Sequence, residues 1–146
     1  MRMPDSVDRS AAVNLLKTVP LFSSLDKKNL QALAVTAAQL TYKPGDLIVT
    51  EGQKGIGFYL IAEGRVAVEK GGKAVAALGP GQYFGEMALL DEEPRTANVR
   101  VTTPTRCLVL SPWEFWGSVK DNPEVLRALL KETVRRLPQA APGPED

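Results

Sequence analysis

The sequence contains no histidine and a single cysteine, Cys107, in 146 residues. Without an imidazole there is no histidine base, so histidine-assisted nucleophilic catalysis is excluded. A zinc site of mixed His and Cys ligands is excluded with it, and one thiol cannot form a disulfide within the chain. No apolar run approaches the roughly 20 residues that span a bilayer. The first ten residues are polar and lack the apolar centre of a secretory signal. Neither sign of charge is in excess: 18 Lys and Arg stand against 17 Asp and Glu, a formal net charge of +1. That balance gives no electrostatic reason for broad binding to nucleic acid or to acidic membranes. Together these absences lead to the expectation of a cytoplasmic, non-enzymatic protein. Cys107 would be reduced, and no nucleic-acid or membrane partner is expected.

What is present suits one ordinary domain. Hydrophobic residues make up 44% and charged residues 24%, enough apolar surface for a single core without staples. The chain divides into a helical stretch, a β stretch and a second helical stretch. In residues 10–37, Asp8 or Ser10 can cap a helix bearing Ala12, Val13, Leu15, Leu16 and Val19, and Pro20 ends it. Ser24 or Asp26 then starts a second helix with Leu30, Leu33, Ala34 and Ala37 at helical spacing. Residues 38–111 hold short apolar runs separated by glycine: Leu40 to Tyr42, Leu47 to Val49, Phe58 to Ala62, Arg65 to Glu69, Ala74 to Leu78, a strand through Val99 and Val101, and Arg106 to Leu110. Pro44-Gly45, Gly64, Gly71-Gly72 and Gly79-Pro80-Gly81 mark the turns. Many short strands with glycine turns predict a sandwich, jelly roll or small barrel. In residues 112–137, Ser111-Pro112 reads as a helix start. Asn122-Pro123 restarts a helix with the stripe Val125, Leu126, Leu129, Leu130, Val134 and Leu137, which Pro138 stops. Residues 1–9 and 138–146 are expected to be flexible ends.

One segment breaks the strand pattern. Gly85 precedes Glu86-Met87-Ala88-Leu89-Leu90, a run of helix formers too short for a free-standing helix. A single helical turn inside a β framework exposes its first backbone N–H groups, and a glycine beside it permits close approach, which makes an anion site. Arg95, nine positions after Glu86, can return to that turn and clamp a phosphate bidentately. Glu86 can accept hydrogen bonds from vicinal hydroxyls. An anion site beside a carboxylate points to a sugar phosphate or a nucleotide. Taken singly, a Gly-Glu pair or one arginine would mean only a turn and a solvated charge; the order and spacing of the whole string carry the reading.

The string Phe84, Gly85, Glu86, Ala88, Leu89, Leu90, Pro94, Arg95, Thr96, Ala97 and Val99 closely resembles the phosphate-binding cassette of the cyclic nucleotide-binding domain family. That family includes kinase regulatory subunits, catabolite activator proteins and cyclic-nucleotide-gated channels. Pro44-Gly45-Asp46, Tyr59-Leu60-Ile61, Glu63-Gly64 and Gly81 extend the resemblance over roughly residues 10–137. It implies a mainly β fold with flanking helices: an eight-stranded jelly-roll β-barrel with N-terminal helices and a C-terminal helical lid. It also implies a receptor for cAMP or cGMP as ligand, with no further cofactor. Arg95 would pair with the cyclic phosphate, and Glu86 would accept from the ribose 2′-hydroxyl. Backbone N–H groups of Gly85, Met87, Ala88 and Ala97 would lie near the phosphate or ribose, beside Phe84. Thr96 matches a position that influences the choice of purine and leaves both nucleotides open. Arg136 falls at the base-capping position of the last helix, with Arg135 its alternative. Val68, Val75 and Leu78 are candidates to wall the base. Trp113 and Trp116 are expected to pack on the barrel, and Cys107 to be a small buried hydrophobe.

No helix-turn-helix follows residue 137, where the DNA-binding relatives carry one. The expectation is therefore a stand-alone receptor acting on a protein partner in trans through closure of its last helix. Its oligomeric state is left open. The alternative is a jelly-roll interaction scaffold, or a regulatory fragment of a larger protein, that does not respond to nucleotide.

Overall fold

The computed structural model describes residues 8–19, 22, 23, 25–53, 57–85 and 95–120, and of the last stretch Pro123, Leu126, Arg127, Leu130, Lys131 and Val134. Two helices come first, α1 (Arg9–Lys17) and α2 (Lys27–Thr36). Each starts where a carboxylate satisfies an orphan N–H of the first turn. Asp8 accepts from Ala11 N–H at 2.7 Å and Asp26 from Asn29 N–H at 2.8 Å. The choices between Asp8 and Ser10, and between Asp26 and Ser24, thus fall to the two aspartates. α2 ends at Ala37 in extended conformation and runs directly into the first strand.

Eight strands follow among the described residues: β1 (Ala38–Tyr42), β2 (Leu47–Val49), β3 (Phe58–Glu63), β4 (Val66–Lys70), β5 (Lys73–Leu78), β6 (Tyr83–Phe84), β7 (Asn98–Val101) and β8 (Thr105–Leu110). They pair antiparallel in two four-stranded sheets, one ordered β1-β8-β3-β6 and the other β2-β7-β4-β5. This is the strand order of a double-sheet jelly roll. The expected closed barrel is not formed: the sheets remain separate, with β1 and β6 at the edges of one and β2 and β5 at the edges of the other. Closure would need the edge strands β1 and β2, and β5 and β6, to pair with each other, and among the described residues no such ladder forms. The chain crosses from sheet to sheet at Gly45 (φ +94°) and Gly64 (φ +97°), at positive φ that glycine adopts without strain. At Gly64 a Cβ would come within 2.6 Å of Thr105 Cα, so only glycine fits. β6 is only two residues long.

Two apolar layers form, and β3 and β8 belong to both. Phe58 and Leu60 face one way, with Leu108 and Leu110, and pack against Leu16, Phe22, Leu33 and Phe115 of the helical side. Tyr59 and Ile61 face the other way, with Cys107, and pack between the sheets against Val49, Val66, Val99 and Val101. Burial on both faces is why these two strands read as continuous apolar runs rather than alternations. Cys107 is fully buried, as expected, and burial pushes its thiol up to about 12.

The third helix, α3 (Pro112–Val119), begins at Ser111, whose hydroxyl accepts from Glu114 N–H and donates to the Glu114 carboxylate. Phe115 is buried and Trp116 packs half-buried on the same cluster, edge-on to Phe115 at 5.2 Å. Trp113 departs from expectation: it is 66% exposed, because at about 100° per residue it points away from Phe115. Leu126, Leu130 and Val134 are exposed too. The other members of that stripe lie outside the described residues. No helix among the described residues is long and apolar enough to cross a membrane.

A buried ion pair was not legible in the sequence. Arg106 is 3% exposed, and its Nη1 lies 3.2 Å from Glu63 Oε1 across the β3–β8 ladder. Removing Glu63 would leave the Arg106 charge desolvated, whereas Glu63 itself is partly exposed.

Candidate functional site

The candidate site lies between the end of β6 and the segment before β7. Residues from both sheets line a cavity of about 160 Å³. Val49 of β2, Val68 of β4 and Val99 of β7 supply apolar wall. Phe84 and Gly85 enter from the end of β6, and Arg95, Thr96 and Ala97 from the segment before β7.

Arg95 is anchored twice. Its backbone is tied to the loop after β2: Arg95 N–H donates to the Gln53 carbonyl at 2.9 Å, and its own carbonyl accepts from Gly52 N–H at 2.8 Å. Its side chain reaches the start of β3, where Nη2 donates to the Gly57 carbonyl. The guanidinium carbon lies 6.0 Å from the centre of the Tyr59 ring, within cation–π range. Tyr59 in turn stacks on Phe84, rings 5.0 Å apart and 8° from parallel. The Tyr59 hydroxyl is pushed up mainly by burial, while the charge of Arg95 pulls the other way.

Gly85 has φ +82°, a conformation that only glycine adopts without strain. Space demands glycine as well, since a Cβ there would sit 2.6 Å from the Gly57 carbonyl oxygen and 3.1 Å from Arg95 Cζ. Backbone and guanidinium therefore come together at the cavity because residue 85 has no side chain. A cavity with a fixed cation and close-approaching backbone at one end, and three valines around it, suits a ligand with an anionic group and a flatter apolar part.

Of the residues singled out in the sequence, Phe84, Gly85, Arg95, Thr96 and Ala97 line this one cavity. Thr96 is exposed at its rim and Ala97 is buried. Glu86, Met87, Ala88 and Arg136, with its alternative Arg135, lie outside the described residues. Among the candidate walls, Val68 lines the cavity, Leu78 packs on the inter-sheet cluster, and Val75 is 57% exposed on the edge strand β5. Gly57, Tyr59 and Val49 were missed as site residues. Nothing local marks them, because their partners lie tens of positions away in the chain; Gly57 and Arg95 are 38 apart.

Comparison with known proteins agrees with this geometry. The sequence model of the cyclic nucleotide-binding domain matches residues 39–122, more than half of the chain, and the protein belongs to that family, whose domain is regulatory rather than catalytic. Over 91 residues it is 42% identical to a cAMP-dependent protein kinase regulatory subunit of Schizosaccharomyces pombe, covering 62% of this chain and 22% of that one. Over 94 residues it is 37% identical to a cGMP-dependent protein kinase of Plasmodium berghei, covering 64% and 11%. Each of these relatives is thus several times longer than the matched part. Among solved structures, the N-terminal domain of a transcriptional regulator from Streptomyces coelicolor A3(2) superimposes with a TM-score of 0.78 at 31% identity, over 84% of this chain and 88% of that one.

Proposed function

We propose that this chain is a receptor for a purine cyclic nucleotide, bound in the cavity between the sheets. The observation that carries the reading is the meeting of the Arg95 guanidinium with Gly85 in one cavity with Thr96 and Ala97. In this reading Arg95 pairs with the cyclic phosphate, and the N–H groups of Gly85, Met87, Ala88 and Ala97 surround the phosphate and ribose. Glu86 accepts from the 2′-hydroxyl. Val49, Val68 and Val99 contact the sugar or base. The cavity volume is about half the lower end of the usual range for small-molecule clefts, roughly 300–1,000 Å³. It suits the phosphate–ribose end, with the base at the mouth under the last helix, where Arg136 or Arg135 caps it.

The functional unit in this reading is residues 10–137. Ligand binding selects a form in which the C-terminal helix closes over the base, and a protein partner in trans reads the change. The setting is cytoplasmic, with no nucleic-acid or membrane partner. Thr96 suits either purine, and the kinship with both cAMP- and cGMP-dependent kinases keeps both ligands in view. A scaffold without ligand is disfavoured, because Arg95 and Glu86 are both retained.

Calorimetric titration with cAMP and cGMP tests the proposal. Saturable binding is expected, and Arg95→Ala should weaken it by about 2–5 kcal/mol, the cost of leaving a buried charge without its partner. Thr96→Ala should weaken cGMP more than cAMP. Failure of the unaltered chain to bind either nucleotide would leave the scaffold reading in its place.

A further inference from the structure

The clamp arginine is braced by an aromatic pair, and we propose that Tyr59 is the positioning residue that holds the Arg95 guanidinium ready for an anion; this rests on the ligand reading above. Tyr59 and Phe84 are direct register partners on β3 and β6, so their parallel stack is a cross-strand pair built into the edge of the sheet. Tyr59 is 8% exposed and does not line the cavity. Its ring faces the guanidinium, while Gly57, two positions earlier, takes the Nη2 hydrogen bond. Phe84 and Gly85 approach from β6. β3 therefore presents a carbonyl and a ring to the same guanidinium, and Phe84 of β6 stacks on that ring.

An arginine side chain carries many rotamers, and ordering them when a ligand arrives weakens binding. A guanidinium already lodged against Gly57 and the Tyr59 ring loses that freedom on folding instead. The lowering effect of the Arg95 charge on the Tyr59 hydroxyl agrees with this proximity. The bracing needs the ring, not the hydroxyl, so phenylalanine should serve and an aliphatic side chain should not.

The test uses the full chain and has two arms. In the ligand-free protein, ¹⁵N relaxation of the Arg95 Nε–H should report an ordered group in the unaltered chain and in Tyr59→Phe, and a mobile one in Tyr59→Leu. In titrations with cAMP and cGMP, Tyr59→Leu should raise Kd roughly tenfold and Tyr59→Phe less than about twofold, in line with a desolvated cation–π contact. An Arg95 Nε–H equally ordered in Tyr59→Leu, or a Tyr59→Phe chain as weak as Tyr59→Leu, overturns the proposal. Should Tyr59→Leu fail to fold, Phe84→Leu removes the ring stacked on Tyr59 and must also loosen Arg95; unchanged order there overturns the proposal equally. If the unaltered chain binds neither nucleotide, the ligand reading fails alone, and the relaxation arm still decides whether Tyr59 positions Arg95.

Discussion

The two apolar layers of this domain share the strands β3 and β8 but differ in chemistry. The layer under the helices has only hydrocarbon side chains among its buried members, with Phe22, Phe58 and Phe115 at its centre; Phe22 lies 5.5 Å from Phe58 and 6.0 Å from Phe115. The layer between the sheets mixes valines with Tyr59 and Cys107, and two of its members, Val49 and Val99, line the cavity. The first layer can be packed for density alone. The second must leave an opening and keep polar atoms near it, so it is the layer where site and stability compete. The candidate site lies at the end of the layer that is not fully packed.

That division can be attacked from either side. Phe58→Ala removes a fully buried ring from the helical layer and should lower stability by about 3–5 kcal/mol. Chemical denaturation would measure it, and nucleotide affinity should stay near that of the unaltered chain wherever the variant remains folded. A large loss of affinity in a folded Phe58→Ala chain would show that the layers are not independent. Arg95→Ala should give the reverse pattern. Asp26→Ala deletes the cap of α2 and should cost about 1 kcal/mol in the same assay, again with affinity unchanged.

The smallest effect is confined to alkaline pH. The inter-sheet layer contains groups that burial holds protonated: the Cys107 thiol, pushed up to about 12, and the Tyr42 hydroxyl, also raised mainly by burial. From pH 9 to 12 the folded chain keeps the Cys107 proton while the unfolded chain, with its ordinary value near 9, releases it. The folded state then binds more protons, so stability falls as pH rises through that interval. Cys107→Val should make the fall shallower and leave stability near neutral pH almost unchanged. An unaltered slope in thermal melts across that interval would locate the alkaline sensitivity elsewhere.

Much of this could be read before any fold was known, and the failures share a cause. The helix–strand–helix order, the caps at Asp8, Asp26 and Ser111, and the glycine turns depend on neighbours within about four positions, and each was visible as a residue type in place. Trp113 was misjudged because helical spacing tells which residues share a face, not whether that face meets a partner. Arg106 read as an ordinary strand residue; its burial against Glu63 follows from β3 lying beside β8 in the ladder. The short β6 is a strand only because β3 offers it an edge.

By itself, then, the sequence determined the local conformations and the cassette string from Phe84 to Ala97, including a glycine and an arginine at the spacing an anion site needs. Only the tertiary structure decided that the sheets stay open rather than closing into a barrel. It also decided that Val49, Val68 and Val99 wall the same cavity, and that Gly57 and Tyr59 hold Arg95. The physical reason is range. Caps, turns and periodicity are short-range properties of backbone and side chain, whereas strand partners and cavity walls come from residues tens of positions apart. Their meeting is set by the burial of two apolar layers at once.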